Sequence, residues 1–148
     1  MVDIHNALIT TAYTPAAVAA AGTTTGTAID LTTLNGFSEI CFILTQTQVV
    51  DTGNIFFIRT SDASGGTYTD VVGATITLTS NVAGTYLISI RLNNPNLQRF
   101  VRVSYTALTS TSRTVSVVAV GLNPSNGVRG SNEAARATSA GLVARAAI

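Results

Sequence analysis

Hydrophobic and polar positions alternate along much of this chain, most clearly in the run Arg99–Thr106. Val101, Val103 and Tyr105 fall on one side of an extended backbone, and the residues between them are polar. A period of two is typical of a strand with one packed face and one wetted face. We therefore predict a half-buried β-strand here.

A second run, Arg113–Leu122, is apolar on nearly both faces. Such a pattern is typical of a central strand that is covered from both sides. The Thr- and Ser-rich segment Ala107–Ser112 separates it from the run Arg99–Thr106. A short polar linker between two strand patterns favours a turn, so we predict that the two runs form a β-hairpin.

Further β-prone runs follow one another at fairly regular spacing, with Gly, Asn, Asp and Pro between them. They are Asn6–Tyr13, Ala28–Leu31, Phe37–Thr47, Asn54–Thr60, Tyr68–Val72, Ala74–Thr79 and Thr85–Leu92, the fifth and sixth being separated at Gly73. About eight strands with little helix predict an all-β fold, an antiparallel β-sandwich of the jelly-roll type.

The two ends of the chain depart from this pattern. Thr14–Gly22 predicts a short helix with a Thr cap, Pro at its first position and Gly after its end, although an extended segment is an alternative. Thr23–Thr27 reads as a loop. We predict an N-terminal arm and first strand over 1–26, the sandwich domain over 27–124, and a C-terminal arm over 125–148.

Composition limits the classes of function. Charged residues are only 10% of the chain and hydrophobic residues 46%, so the surface is covered by uncharged polar residues or lies against partners. A net charge of +1 argues against binding nucleic acid through its phosphates. The N-terminus lacks the pattern of a signal peptide, and no stretch is long and apolar enough to span a membrane.

Residues that usually make up enzyme or metal sites are few and scattered. His5 is the single histidine and Cys41 the single cysteine, which is too little for a catalytic relay or a zinc site. Cys41 lies in an apolar run, so we expect a small buried hydrophobe. Asp51, Asp62 and Asp70 offer oxygen ligands for Ca²⁺, but aspartates in turns more often bind their own backbone. We predict no catalytic residue, cofactor or metal.

Three arginines, Arg91, Arg99 and Arg102, cluster in sequence around the first run. The simplest interpretation is a solvated sheet face whose arginines lie near acidic residues.

Several short segments resemble, in order and spacing, small head decoration (cement) proteins of tailed bacteriophages. The segments are TAIDL (27–31), GFSE (36–39), FIRTSD (57–62), YTDV (68–71), QRFVRV (98–103) and VGLNP (120–124). In that family the third segment usually has Gln-Glu where Arg59-Thr60 stands here. The resemblance covers roughly residues 27–124.

The resemblance implies a structural virion protein on the capsid surface, with a jelly-roll fold and no enzymatic activity. Its expected partners are the major capsid protein and further copies of itself, as a homotrimer or a dimer. The arm after Pro124 extends past the family pattern. It either frays or orders on a neighbour, and its candidate subunit or capsid contacts are Arg129, Arg136, Leu142, Val143 and Arg145.

Two other functions fit a β-sandwich with these features. One is a tail or head–tail connector subunit whose terminal arms bind its neighbours. The other is a carbohydrate-binding module, which the absence of Trp and the presence of only four Tyr disfavour.

Overall fold

The computed structural model describes residues 9–18, 21–34, 37–47, 53–78, 83–108 and 113–124. Within these residues the chain forms nine strands and one short 3-10 helix, Leu31–Leu34. The strands are β1 (Ile9–Val18), β2 (Gly22–Thr25), β3 (Ile29–Asp30), β4 (Phe37–Gln46), β5 (Asn54–Ser61), β6 (Thr69–Leu78), β7 (Gly84–Arg91), β8 (Phe100–Ala107) and β9 (Arg113–Pro124).

The strands form two antiparallel sheets. One sheet has the order β1-β9-β4-β7, and the other has the order β2-β8-β5-β6, with β3 also paired to β8. The chain passes repeatedly from one sheet to the other, which is the connectivity of a jelly roll. The predicted all-β antiparallel sandwich of the jelly-roll type is thus confirmed.

The core lies between the sheets and is built from alternate side chains of each strand. On β4 the inward residues Ile40, Phe42 and Leu44 are at most 1% exposed, and Phe56 and Ile58 of β5 face them from the opposite sheet. Each large apolar side chain contributes about 1.5–3 kcal/mol when fully buried. The alternation read from the sequence therefore accounts for the interior.

The predicted hairpin of β8 and β9 is wrong. β8 pairs with β2, β3 and β5, whereas β9 lies between β1 and β4 in the other sheet. An alternating pattern identifies a strand and its buried face, but it does not identify the strand's partner. The connection after Ala107 therefore crosses from one sheet to the other. The predicted central position of β9 within its sheet is confirmed, but the predicted cover on both faces is not, because its outer residues Val118, Val120 and Leu122 are only half-buried.

The N-terminal region also differs from its prediction. The helix expected over Thr14–Gly22 is not formed, because β1 continues to Val18 through its antiparallel pairing with β9. Pro15 fits there since β1 is an edge strand and its register shifts between Tyr13 and Ala16. The predicted loop Thr23–Thr27 contains β2, which pairs with β8. Tertiary pairing has overridden weak local preferences.

The predicted break at Gly73 is a bulge within one strand. β6 runs from Thr69 to Leu78 with Gly73 at φ 79°, in the left-handed region that favours glycine. The register with β5 shifts between Phe57 and Arg59, opposite this point. Four residues of β6, Val71–Ala74, lie opposite the single residue Ile58 of β5, and these three extra residues bulge without ending β6.

Candidate interaction surfaces

One end of the sandwich brings together the segments that resemble those of phage decoration proteins. β3 pairs with the start of β8, and the end of β5 pairs with both the start of β8 and the start of β6. In the other sheet, Phe37 at the start of β4 pairs with Pro124 at the end of β9. Segments that are far apart in sequence are therefore neighbours at this end, which we call the motif end.

An exposed ion pair ties β3 to the start of β8. Arg99 Nη2 donates to Asp30 Oδ2 over 2.7 Å, and Arg99 Nε lies 3.2 Å from both carboxylate oxygens. Thr32 donates to Asp30 Oδ1 through its backbone N–H (3.0 Å) and its hydroxyl (2.8 Å). The hydrogen bonds from Arg99, followed by those from Thr32, hold the pKa of Asp30 well below its ordinary value. Asp30 in turn raises the pKa of Arg99.

Thr60 fastens the end of β5 to the segment that enters β8. Its hydroxyl donates to the Phe100 carbonyl (3.0 Å) and accepts from the Gln98 backbone N–H (2.8 Å). The Gln98 side chain then donates to Asp62 Oδ2 (3.2 Å). Because Thr60 is only 2% exposed, these backbone groups depend on it rather than on water.

Two arginines lie side by side on the outer face of the five-stranded sheet. Arg59 pairs in register with Arg102 on β8 and with Asp70 on β6, and its Nε lies 2.9 Å from Asp70 Oδ1. The Arg102 guanidinium lies over the Tyr68 ring, 3.7 Å from its centroid, in cation–π geometry. The interactions of the motif end thus connect the strands to one another.

The outer face of the four-stranded sheet is different in character. Seven apolar residues from four strands lie on it: Ile9, Cys41, Ile43, Leu87, Val118, Val120 and Leu122. We call this set the apolar face. Register places Ile43 between Leu87 and Val118, and Cys41 next to Val120, which in turn pairs with Ile9. The seven residues are therefore contiguous in space.

The apolar face is partly open to solvent. Ile9 is 60% exposed, while Cys41, as predicted, is buried at 9%, and the other five are half-buried. Polar residues border it, with Thr45 and Thr85 paired at one end and Glu39 and Arg91 paired at the other. A contiguous apolar patch with a polar rim is typical of a protein contact site.

The opposite end of the sandwich contains buried polar side chains. Tyr105 donates its hydroxyl to Gln46 Oε1 (3.1 Å), and Arg113 Nη1 donates to Asn54 Oδ1 (2.7 Å). Gln46, Asn54 and Arg113 are each at most 2% exposed. This cluster crosses between the two sheets, and nothing in the sequence pattern predicts it.

A shallow groove of about 330 Å³ lies where β1 meets the other sheet, lined by Tyr13, Thr14, Ala16, Thr25, Gly26 and Thr27. Tyr13 is its single aromatic residue. Sugar rings bind on aromatic side chains and polar groups together, so this lining offers little of what a carbohydrate-binding site requires.

The predicted contact residues of the C-terminal arm, Arg129, Arg136, Leu142, Val143 and Arg145, lie outside the described residues. His5 and Asp51 lie outside them as well.

The other residues considered from sequence are separated in the fold. Asp62 binds Gln98, and Asp70 binds Arg59. Arg91 is the last residue of β7 in the four-stranded sheet, whereas Arg99 directly precedes β8 and Arg102 lies on β8 in the other sheet. In the part of the chain that the structure describes, no three His, Cys, Asp or Glu residues gather into a possible metal site. The same residues include no helix long and apolar enough to cross a membrane.

The two-sided apolar character of β9 is visible in the sequence, but the apolar face is not. The face combines residues of four strands, and those strands become neighbours only through the jelly-roll order. The alternating outer positions of β4, Cys41 and Ile43, contained part of the pattern.

No protein-family model matches the chain, and no curated protein matches it. Among solved structures it is similar to the PBSX exported protein XepA, with a TM-score of 0.56 and 18% identity over 85% of this chain and 40% of XepA. Weaker likenesses are to the SPBc2 prophage-derived protein YomS (TM-score 0.45, 11% identity, 80% and 94% covered) and to the VP2 subviral particle of infectious bursal disease virus (0.47, 15%, 82% and 33%).

The likeness to XepA supports the β-sandwich fold, and at this identity it supports nothing further. The two weaker likenesses carry no argument. The chain spans less than half of the length of XepA, since it covers 40% of that protein.

Proposed function

We propose that this protein is a structural component of a bacteriophage virion, a decoration or cement protein that binds the outer surface of the head. The major capsid protein is then its partner, and the capsid surface its location. The observation that carries the proposal is the apolar face, which offers a docking surface. The polar side chains of the motif end, in contrast, bind one another. The phage-like motifs, which meet at the motif end, support the assignment to this class of virion protein.

Mechanical attachment accounts for the composition better than catalysis does. A chain with 10% charged residues has little charge to remove from water when it binds a partner, and the centre of a contact patch is usually depleted in charge. Single surface contacts are weak, but an oligomer that engages several shell subunits at once gains avidity without any strong individual contact. The protein therefore attaches as an oligomer that makes several weak contacts with the shell at once.

The C-terminal arm extends this proposal. We propose that Arg129, Arg136 and Arg145, together with Leu142 and Val143, contact the shell or a neighbouring subunit. Exposed ion pairs contribute about 0–1 kcal/mol each, so the arm supplements the apolar face and does not replace it.

Binding to isolated heads tests the proposal. The double variant Val118→Thr/Val120→Thr keeps side-chain size and β-propensity but places two hydroxyls on the apolar face. We expect a loss of affinity of tenfold or more in co-sedimentation with heads that lack the protein. Val72→Thr is the matched control, because Val72 is 72% exposed on an edge strand of the other sheet, and we expect it to bind as the parent does.

Equal binding by the parent protein and the double variant would contradict attachment through the apolar face. Binding confined to the head–tail vertex would instead indicate the tail or connector function. Binding to a glycan array, with no binding to heads, would indicate the carbohydrate-binding function.

A further inference from the structure

The edges of the two sheets are unequal in how well they are protected against pairing with another strand. An edge strand exposes unpaired backbone N–H and C=O groups, and proteins usually block such edges with short strands, bulges, prolines or charges. Within the described residues the edges are formed by β1 and β7 in one sheet, and by β6 and by β2 with β3 in the other.

Three of these edges carry blocking features. β1 contains Pro15 and two register shifts. β6 contains Asp70, the positive-φ Gly73 and a register shift. β2 and β3 are only four and two residues long.

The fourth edge, β7, lacks these features except for one charge at its end. It is eight residues long, and its eight pairs with β4 run from Glu39–Arg91 to Gln46–Gly84 without a register shift. It contains no proline, and its one charged residue, Arg91, is its last. On its far side no strand of the described residues pairs with it.

We propose that the free edge of β7 is a subunit interface at which a second copy of this chain adds its own β7, antiparallel, across a two-fold axis. A two-fold interface joins the same surface of both subunits, and strand addition satisfies the unpaired backbone groups of both edges. The two Arg91 side chains then lie at opposite ends of the strand pair and do not repel each other. The outer positions that meet, Thr85, Leu87 and Ser89, are uncharged.

This pairing has a consequence for the rest of the molecule. Two four-stranded sheets become one sheet of eight strands, and Leu87 of each copy lies at the seam. The apolar faces of the two subunits, which include Ile43 beside Leu87, then form one continuous surface. This inference rests on the proposed function in one respect: it identifies the contact between subunits of the oligomer that is proposed to bind the head.

The test is the mass of the full chain in solution, measured without heads by light scattering and sedimentation equilibrium. We expect twice the chain mass of 15.2 kDa. Thr85→Lys/Leu87→Lys places positive charges on the pairing edge, and we expect the monomer mass with an unchanged circular dichroism spectrum. Thr75→Lys/Thr77→Lys puts the same charges on exposed positions of the blocked edge β6, and this control stays dimeric.

A charge swap makes the test specific to this edge. Thr85→Glu/Leu87→Glu is also expected to be monomeric, and an equimolar mixture of the Lys and Glu variants is expected to regain the dimer mass. Thr85→Lys alone, at an exposed position, serves if a double variant misfolds, and it is expected to weaken the dimer at least tenfold.

A monomeric parent protein, a trimer, or a dimer insensitive to these charges would overturn the β7 interface. Failure of the mixed variants to associate would overturn it as well. The β7 interface and head attachment can be contradicted independently. A stable monomer that binds heads contradicts only the β7 interface, and a dimer that does not bind heads contradicts only the proposed function.

Discussion

At the scale of single residues, polar side chains of this protein hold neighbouring strands in place. Asp30 connects β3 to the start of β8 by an ion pair, and Thr60 connects the end of β5 to it by a buried hydroxyl. Gly26 does similar work without a side chain: its N–H donates to the Val103 carbonyl (2.9 Å), and the next N–H, of Thr27, donates to the Ala12 carbonyl (2.9 Å). These contacts give rise to two predictions.

The Asp30–Arg99 pair makes the free energy of unfolding depend on pH in the acidic range. Because the pKa of Asp30 is lower in the folded chain than in the unfolded chain, the unfolded chain binds more protons below about pH 4. The stabilisation is therefore complete above that range and is lost as pH falls through and below it. We expect Asp30→Asn to lower the urea midpoint at pH 7, and its difference from the parent protein to shrink as pH approaches about 3.

Arg99→Gln removes the cationic partner of the same ion pair. Its difference in urea midpoint from the parent protein should therefore shrink over the same pH range. A difference between Asp30→Asn and the parent protein that stayed constant from pH 7 to pH 3 would show that the pair does not lower the Asp30 pKa.

Gly26 is required because the two sheets approach closely at its backbone. A Cβ added there would lie 2.6 Å from Val103 Cγ1 and closer still to the Ala12 carbonyl oxygen. Since overpacking typically costs about 1–3 kcal/mol, we expect Gly26→Ala to lower the free energy of unfolding by at least that amount in urea. Gly65→Ala, with open space around the added Cβ, is the control and should change it by less than about 0.5 kcal/mol. Equal stability of the two variants would disprove the close packing.

At the scale of elements, the sequence predicted strands well and their partners poorly. The alternation in Phe37–Thr47, Asn54–Thr60 and Thr85–Leu92 agrees closely with β4, β5 and β7, because side-chain burial has the period of the strand itself. Pairing depends on long-range contacts that no local window contains. The hairpin of β8 and β9 and the helix at Thr14–Gly22 were wrong for that reason.

The candidate surfaces were less predictable than the fold. The segments that resemble phage proteins can be recognised in the sequence, but their meeting at one end cannot. The apolar face depends on four strands arranged in jelly-roll order. The edge of β7, with which no second described strand pairs, stands out only by comparison with the other edges. A single sequence shows the residues of these surfaces, but it does not show which of them become neighbours in the fold.

The pairing of β2 with β8, where a loop was predicted, can be tested directly. Thr23 Oγ1 and Thr106 Oγ1 lie 2.7 Å apart across the two strands, so Thr23→Cys/Thr106→Cys is expected to form a disulfide on air oxidation. Such a bond typically adds about 2–4 kcal/mol to stability, measurable as a rise in urea midpoint that reductant reverses.

Thr23→Cys/Ser116→Cys is the control for that cross-link, because Ser116 lies in the other sheet. It should stay reduced. Absence of a disulfide in Thr23→Cys/Thr106→Cys would contradict the β2–β8 register.

At the scale of the whole molecule, the jelly roll has two unlike outer faces. The face of the five-stranded sheet carries threonines and arginines, among them Thr75, Thr77 and Arg102, and the other carries the apolar face. Binding through the second face should respond to solvent conditions as apolar contacts do. In the proposed function the protein attaches to the shell through this second face, and the proposed self-association at β7 would increase the area of attachment.

The salt dependence of binding therefore distinguishes attachment through apolar contacts from attachment through ion pairs. The screening length falls from about 10 Å at 0.1 M salt to about 3 Å at 1 M, which weakens exposed ion pairs but not apolar burial. We expect the affinity for heads to change less than about threefold over that range, measured by co-sedimentation. A steep fall in affinity with salt would assign the attachment to charged residues, such as the arginines of the C-terminal arm.

Electron cryomicroscopy of purified virions is the decisive measurement for attachment to the head. We expect density for this jelly roll repeated over the head shell, with Val118 and Val120 facing the major capsid protein. Density at a single vertex, or a shell-bound subunit whose apolar face points to solvent, would contradict it.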